Sequence, residues 1–325
     1  MKPTLQSASA VLASVLLAVS IGRSGAWAET FPDRTIEVVV PFAPGGFTDV
    51  LGRALARGMA KDLSSPVVVL NKAGAAGTLG AALIAHSKPD GHSLLYSAGT
   101  TMAPTLALTP EPGYDRTSFE PICQAFRFDL VIIVRPDSFL RSMSDLITAA
   151  RKTPRGVSYG HIGFGTSFHL TMVALSRSAN VEFTSVPFRG DAETMHQVRA
   201  GQIDFGIVAL SSAAGGYFRL LGLFADERNA SFPEVPTMNE QGLQIPDVAS
   251  MGVGGLFAPA GLPINVKRRL GDACRAAAES NEYRSLASTL HQPEDYYADE
   301  VGFSYNVNRA IEVKNQLMAA LAKNK

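Results

Sequence analysis

Two cysteines, Cys123 and Cys274, are all that the 325 residues contain. Neither stands in a CxxC or a Cys/His spacing, so zinc held by cysteine is excluded. The six histidines (His86, His92, His161, His169, His196, His291) are scattered, with no HExxH and no i, i+4 pair, and no metal site is expected. Nucleotide signatures are missing too. The stretch GFGTSF at 163–168 lacks the third glycine of GxGxxG, and no GxxxxGK[ST] occurs. No GxSxG elbow exposes a nucleophile, and Ser167 and His169, two residues apart near a helix start, point in different directions, so an enzyme is not expected. Basic and acidic residues balance at 29 each, without the basic run that would neutralise a phosphate backbone, which argues against nucleic acid as a partner. No cofactor is implied, and no repeat period or low-complexity tract interrupts the chain.

The one long apolar run lies at the start. Residues 1–28 carry a lysine, an apolar core around Val11 to Ile21 and the small-residue site Ala26-Trp27-Ala28, a pattern read as a cleaved signal peptide. The run is shorter than the roughly 20 residues a spanning helix needs. The mature chain is expected to be exported and periplasmic, a compartment that permits a Cys123–Cys274 bridge, although two unbridged buried thiols suit the spacing as well.

Strand and helix alternate through the mature chain, the mark of an α/β fold. The strand TIEVVVPF (35–42) leads through APGG into a helix in which Leu51, Leu55, Met59 and Leu63 repeat at four-residue spacing. PVVVLN (66–71), the loop KAGAAG, a helix from Thr78 to His86 and the strand SLLYSAGTT (93–101) complete this set. The pattern restarts at DLVIIVRP (129–136), with a helix over 143–152, a strand ending near Gly160, a helix from Thr166 or Ser167, EFTSVPFRG (182–190), a helix over 191–200 and the strand IDFGIVAL (203–210). Two lobes are therefore expected, joined by crossings at FEPICQAFRF (119–128) and LLGLFADERN (220–229). The first lobe would comprise 29–122 and 226–325, the second 123–225, and the C-terminal helices would pack back on the first.

Ligands of open α/β sheets sit beyond the carboxyl ends of the strands. Here those ends carry Gly45, Gly46 and Thr48; Gly74, Gly77 and Thr78; Gly99, Thr100 and Thr101; and Gly165, Thr166 and Ser167. Each group precedes or opens a helix, where unpaired N–H groups and the helix dipole favour an anion. At any single loop the glycines equally serve a tight turn, and Thr48, Thr78 and Ser167 equally serve as caps. A small carboxylate suits the set: a hydrogen bond to a charged group contributes roughly 1.5–3 kcal/mol, and micromolar binding needs about 8 kcal/mol.

The ordered motifs FPDRTIEVVVPFAPGGFTD, VVVLNKAGAAGTLGA, PDGHSLL, GVSYGHIGFGTSFHL, VPFRG, AGQIDF, FPEVPTMNEQG and GLFAPAGLP span the mature chain. Through them it resembles the extracytoplasmic solute-binding proteins of the tripartite tricarboxylate transporter family, the Bordetella uptake gene (Bug) type. The resemblance implies a two-lobed periplasmic-binding-protein fold of the Venus-flytrap type (type II-like), with mixed, mainly parallel sheets and two hinge crossings. It also implies a monomer that delivers a small organic acid to membrane permease subunits. An exported sensor feeding a signalling receptor is the alternative, and an exported hydrolase a weaker one. Carried over by residue, the resemblance nominates Phe42, Ala43, Gly45, Gly46, Thr48 and Asp49 on one lobe and Gly165, Thr166 and Ser167 on the other as ligand-binding. Gly77, Thr78, Gly99, Thr100, Thr101, Arg189 and Gly190 form a second tier.

Three departures bear on specificity. Val208 and Ala209 stand where many relatives carry a polar pair, and the connection after them is short. Asp191 follows Arg189-Gly190 where relatives have a small neutral residue. These imply either a ligand less polar at one end or one bearing an amine that faces Asp191.

Overall fold

The computed structural model describes residues 31–103, 111–245 and 247–322. The expected signal peptide over 1–28 lies outside the described residues. The first lobe opens with β1 (Ile36–Val40), α1 (Phe47–Leu63), β2 (Val67–Asn71), α2 (Thr78–Ala85) and β3 (Ser93–Ala98), and β4 (Phe119–Arg127) comes next. The β-branched run of β1 is buried at every position except Glu37, as befits a central strand covered on both faces. Leu51, Leu55, Met59 and Leu63 all face the core from α1, so the four-residue spacing is the buried stripe. SLLYSAGTT is a strand only to Ala98; Gly99–Met102 turns as a 3₁₀ helix.

The second lobe holds β5 (Leu130–Val134), α3 (Met143–Lys152), β6 (Ser158–His161), α4 (Ser167–Ala179), β7 (Thr184–Pro187), α5 (Asp191–Arg199), β8 (Phe205–Ala209), the short α6 (Leu210–Ala213) and β9 (Arg219–Phe224). The chain then returns as β10 (Val253–Pro259), α7 (Ile264–Ala278), α8 (Asn281–Thr289) and α9 (Glu300–Ala322). Two five-stranded sheets result, in the orders β2-β1-β3-β10-β4 and β7-β6-β8-β5-β9.

The sheets are mixed rather than mainly parallel. β1 pairs in parallel with β2 and β3, and β6 with β7 and β8, whereas β10 and β5 are each antiparallel to both of their neighbours. Each sheet thus has a parallel βα half and an antiparallel half made by the strands that enter or leave the lobe.

The crossings fall later than the sequence suggests. The stretch 119–128 is no free crossing segment, because β4 pairs with β10 through Arg127, and the boundary expected between Ile122 and Cys123 lies inside a strand. Likewise LLGLFADERN contains β9, an edge strand antiparallel to β5. Beyond it, Thr237 pairs with Leu223, and Val235 and Phe232 join the second lobe's apolar cluster, so the chain stays with that lobe past Ala225. The apolar composition of RLLGLF and FPEVP accounts for both, since each buries side chains that a solvated hinge would expose. The actual crossings, near Phe128–Asp129 and 247–252, lie side by side, with Phe128 N–H donating to Gly252 O at 3.0 Å.

The C-terminal helices cover the first lobe as expected. α7 lies on α1, and α9 runs along β4 and the Gly99–Met102 turn while also touching α4 of the second lobe. Cys123 of β4 and Cys274 of α7 are joined by a disulfide with 6.5 Å between their Cα atoms, which resolves the alternative left open by the spacing.

Candidate functional site

A cavity of about 130 Å³ lies between the lobes. That is roughly ten times the 10–15 Å³ needed to admit one water. The first lobe lines it with the loop after β1 (Phe42, Ala43, Pro44, Gly46) and the start of α1. Ala75, Ala76 and Thr78, Ala98 with the turn bearing Thr100 and Thr101, and Lys314 complete that side. The second lobe contributes Ile162 to Phe168 without Gly163, Arg189 to Ala192, and Ala209, and Phe128 stands at the crossing. Among the helices that begin at this cavity are α1, α4 and α5. Their first N–H groups have no intrahelical acceptor and their dipoles present partial positive charge to it. Between these polar ends the walls are apolar, formed chiefly by Phe42, Phe47, Phe128, Ile162, Phe164 and Phe168.

The loop PFAPGG is fixed from behind by Asp49. Its carboxylate is buried, accepting from Gly45 N–H at 2.9 Å and Arg53 Nε at 3.1 Å through Oδ2, and from Asn71 Nδ2 at 2.8 Å through Oδ1. Arg53 Nη2 also lies 3.0 Å from Oδ1, and Asn71 Nδ2 reaches Phe42 O at 3.1 Å, which ties β2 to the same loop. Burial alone would push the Asp49 carboxyl up, yet the hydrogen bonds from Arg53, Gly45 and Asn71 hold it below the usual carboxylate range. Its stabilising contribution is therefore complete above the unfolded value near 3.8 and is lost as pH falls through the lower folded value. Asp49→Ala would leave an N–H, an amide and a guanidinium without their acceptor. It is expected to cost about 2–3 kcal/mol in denaturant unfolding at pH 7 and to weaken ligand binding by loosening the loop.

On the facing lobe, two imidazoles hold the GFG turn. His161 is fully buried, and its Nδ1 accepts from Gly163 N–H at 3.1 Å while Nε2 meets Ser185 Oγ at 2.8 Å. His169 Nδ1 accepts from Gly165 N–H at 3.3 Å. An accepting Nδ1 requires the neutral Nε2–H tautomer. Burial pushes His161 down to about 3, helped by the neighbouring His169, and burial pushes His169 down to about 4. Thr166 caps α4, its hydroxyl accepting from His169 N–H at 3.5 Å and donating to Gly163 O at 2.7 Å. The lobes meet just outside the cavity: a Cβ placed on Gly163, at φ +128°, would lie 3.2 Å from Ala76 Cβ of the first lobe.

Comparison with known proteins decides the family. The model of the tripartite tricarboxylate transporter family receptor matches residues 51–308. This chain belongs to that family. A UPF0065 protein of Bordetella pertussis is 33% identical, over 81% of this chain and 82% of its own. The structure of MatC from Rhodopseudomonas palustris with bound malate superposes with a TM-score of 0.79 at 29% identity, covering 89% of this chain and all of that one. The periplasmic binding protein BugD superposes at 0.78 with 26% identity, covering 90% and 98%. The chain is thus a Bug-type periplasmic solute-binding receptor with the two-lobed α/β fold of its neighbours. No described helix is long and apolar enough to cross a membrane.

Within this receptor, Phe42, Ala43, Gly46, Thr48, Asp49, Thr78, Thr100, Thr101, Gly165, Thr166, Ser167, Arg189, Gly190 and Asp191 all line the cavity. Gly45, Gly77 and Gly99 do not. Gly45 makes the turn at φ +80° and spends its N–H on Asp49. Gly77 faces Thr101 and Phe42 side chains, and Gly99 lies beneath Val307 of α9, so both are packing positions. Gly165 lines the cavity, but its N–H is taken by His169. Arg189 is exposed at the rim, with its main-chain N–H donating to Glu193.

The residues singled out as departures fall into different places. Val208 is fully buried in the second lobe's own cluster, because alternate residues of β8 face opposite sides, and only Ala209 reaches the cavity. Asp191 Oδ2 accepts from Ala209 N–H at 3.2 Å and from Ser212 Oγ at 2.7 Å. Its Oδ1 is buried with no partner among the described residues, and burial pushes the carboxyl up to about 6. Asp191 is thus a bracket between α5, β8 and α6. Lys314 also lines the cavity, although it lies near the end of the chain, in a helix whose sequence reads as ordinary amphipathic packing.

Proposed function

We propose that this receptor captures a small organic acid between its lobes and hands it to permease subunits of a tripartite tricarboxylate transporter, working as an exported monomer after loss of residues 1–28. The observation that carries this reading is the convergence of three helix N-termini on one apolar-walled cavity. Carboxylate oxygens take the free N–H donors at the starts of α1, α4 and α5, together with the hydroxyls of Thr48, Thr100 and Ser167, and a hydrocarbon body lies on the phenylalanine walls. MatC, a relative of the same fold, holds malate, which supports the ligand class.

Because Asp191 Oδ2 is held by Ala209 and Ser212 of its own lobe and Oδ1 is buried, the ligand favoured here is a plain acid with an apolar end rather than an amine. Rotation about the paired crossings at Phe128 and Gly252 opens and closes the lobes, and the ligand shifts that equilibrium only by its preference for the closed form. No bond is made or broken. His169 Nδ1 is engaged with Gly165, which leaves Ser167 without a base of the kind a hydrolase needs.

A thermal-shift screen of the mature protein against mono-, di- and tricarboxylates, aromatic acids, amino acids and sugars tests this. A one-site ligand at 100 times its Kd is expected to stabilise by about 2.7 kcal/mol. No shift from any carboxylate, with a shift from sugars or cations, would overturn the substrate class.

A further inference from the structure

Lys314 of α9 is 4% exposed and lines the cavity between the lobes. Its Nζ donates to Thr100 O at 2.9 Å and to Ala103 O, in and just beyond the first-lobe turn that succeeds β3. An ammonium has three N–H donors, so one remains. No carboxylate lies within 4 Å of Nζ among the described residues, where the lysines in ion pairs are Lys61 and Lys267. The other charges that line the cavity are otherwise engaged or peripheral: Asp49 is held by Arg53 and Asn71, Asp191 by Ala209 and Ser212, and Arg189 is exposed.

A buried charge without a counter-charge is costly unless something else compensates it, and two carbonyl dipoles do so only in part. We infer that Lys314 supplies the counter-charge for a ligand carboxylate, its third N–H taking one carboxylate oxygen at the Thr100–Thr101 side of the cavity. This rests on the reading of the cavity as a carboxylate site and adds to it a cation that the glycine-rich loops lack. It also gives α9, which touches both lobes, a direct contact with the ligand.

Burial pushes the empty-state Lys314 amine down to about 8. A bound anion raises it again, so binding near pH 8.5 takes up protons and affinity falls as pH rises from 7 to 9. Around this end of the cavity, Asp49 and Asp191 are ionised and His161 and His169 are neutral at that pH, while burial holds Tyr114, whose hydroxyl donates to Thr101 O, at about 12. Lys314 is the group left to titrate.

The test is calorimetric titration of the mature protein with malate, succinate, glutarate and adipate, in wild type and Lys314→Met, with heats at pH 8.5 compared in buffers of different ionisation enthalpy. The variant is expected to bind on the order of 10- to 100-fold more weakly at pH 7 and to lose the proton uptake shown by wild type. An unchanged Kd in the folded variant, or no proton uptake by wild type at pH 8.5, overturns the inference. Should the variant fail to fold, the wild-type uptake decides alone, in the same two directions. Absence of binding by all four acids, together with no thermal shift from any carboxylate of the screen above, removes the parent reading and this inference together; a monocarboxylate or aromatic acid that shifts the melt replaces the four in the same titration, and binding without a Lys314 effect removes the inference alone.

Discussion

Replacing Gly46 by leucine is expected to reduce carboxylate affinity by on the order of 100-fold or more while the protein stays folded. Gly46 precedes α1 with φ −77° and ψ 168°, an extended conformation open to any residue, and makes no side-chain cap. A Cβ there would meet nothing closer than Ala43 O at 3.7 Å, so the backbone accepts it. Since Gly46 lines the cavity, a four-carbon side chain at this position competes with the ligand for about 130 Å³. The stability cost, that of a poorer helix start, is about 1 kcal/mol. Titration calorimetry alongside a thermal melt separates the two effects. Affinity within a few-fold of wild type would return Gly46 to a turn-making role.

The second large effect is on stability. Cys123 and Cys274 are both almost completely buried, and their bond closes a loop of 151 residues that contains the whole second lobe. Cross-linking restricts the unfolded chain most when the loop is long, and a loop of this length contributes about 2–5 kcal/mol. The Cys123→Ala, Cys274→Ala double variant is expected to melt about 4–20 °C lower, given roughly 2–4 °C per kcal/mol for a chain of this size. Neither cysteine lines the cavity, so ligand affinity should stay within about threefold, a small change by the usual conversion. An unchanged melting temperature would show that the bridge does not hold α7 to β4 in solution.

Much of the molecule is legible from local pattern. The 3.6-residue stripe of α1 and the β-branched run of β1 are satisfied within one element, and the glycine and threonine loops at strand ends lead to most of the cavity's lining. What escapes depends on contacts remote in sequence. The edge position of β9 is set by its antiparallel pairing with β5, and the late first crossing by the register of β4 against β10, both long-range pairings that period alone does not report. Gly45, Gly77 and Gly99 look like ligand cradles because a turn glycine and a cradle glycine share one spelling. His161 and His169 read as scattered because the turn between them, which brings their rings to 5.0 Å, is not a helical spacing. Lys314 carries no local signal, and only the docking of α9 against the Gly99–Met102 turn places its ammonium in the cavity.

The position of the bound acid decides whether the interlobe cavity is the carboxylate site, and the most direct measurement is a crystal structure of the mature protein with the carboxylate that gives the largest thermal shift. It is expected to show carboxylate oxygens about 3 Å from N–H groups at the starts of α1, α4 or α5, with the lobes closed over the ligand. A ligand found elsewhere, for instance in the polar hollow between Arg284 and Asp226 behind the crossings, with the interlobe cavity holding only water, would contradict it.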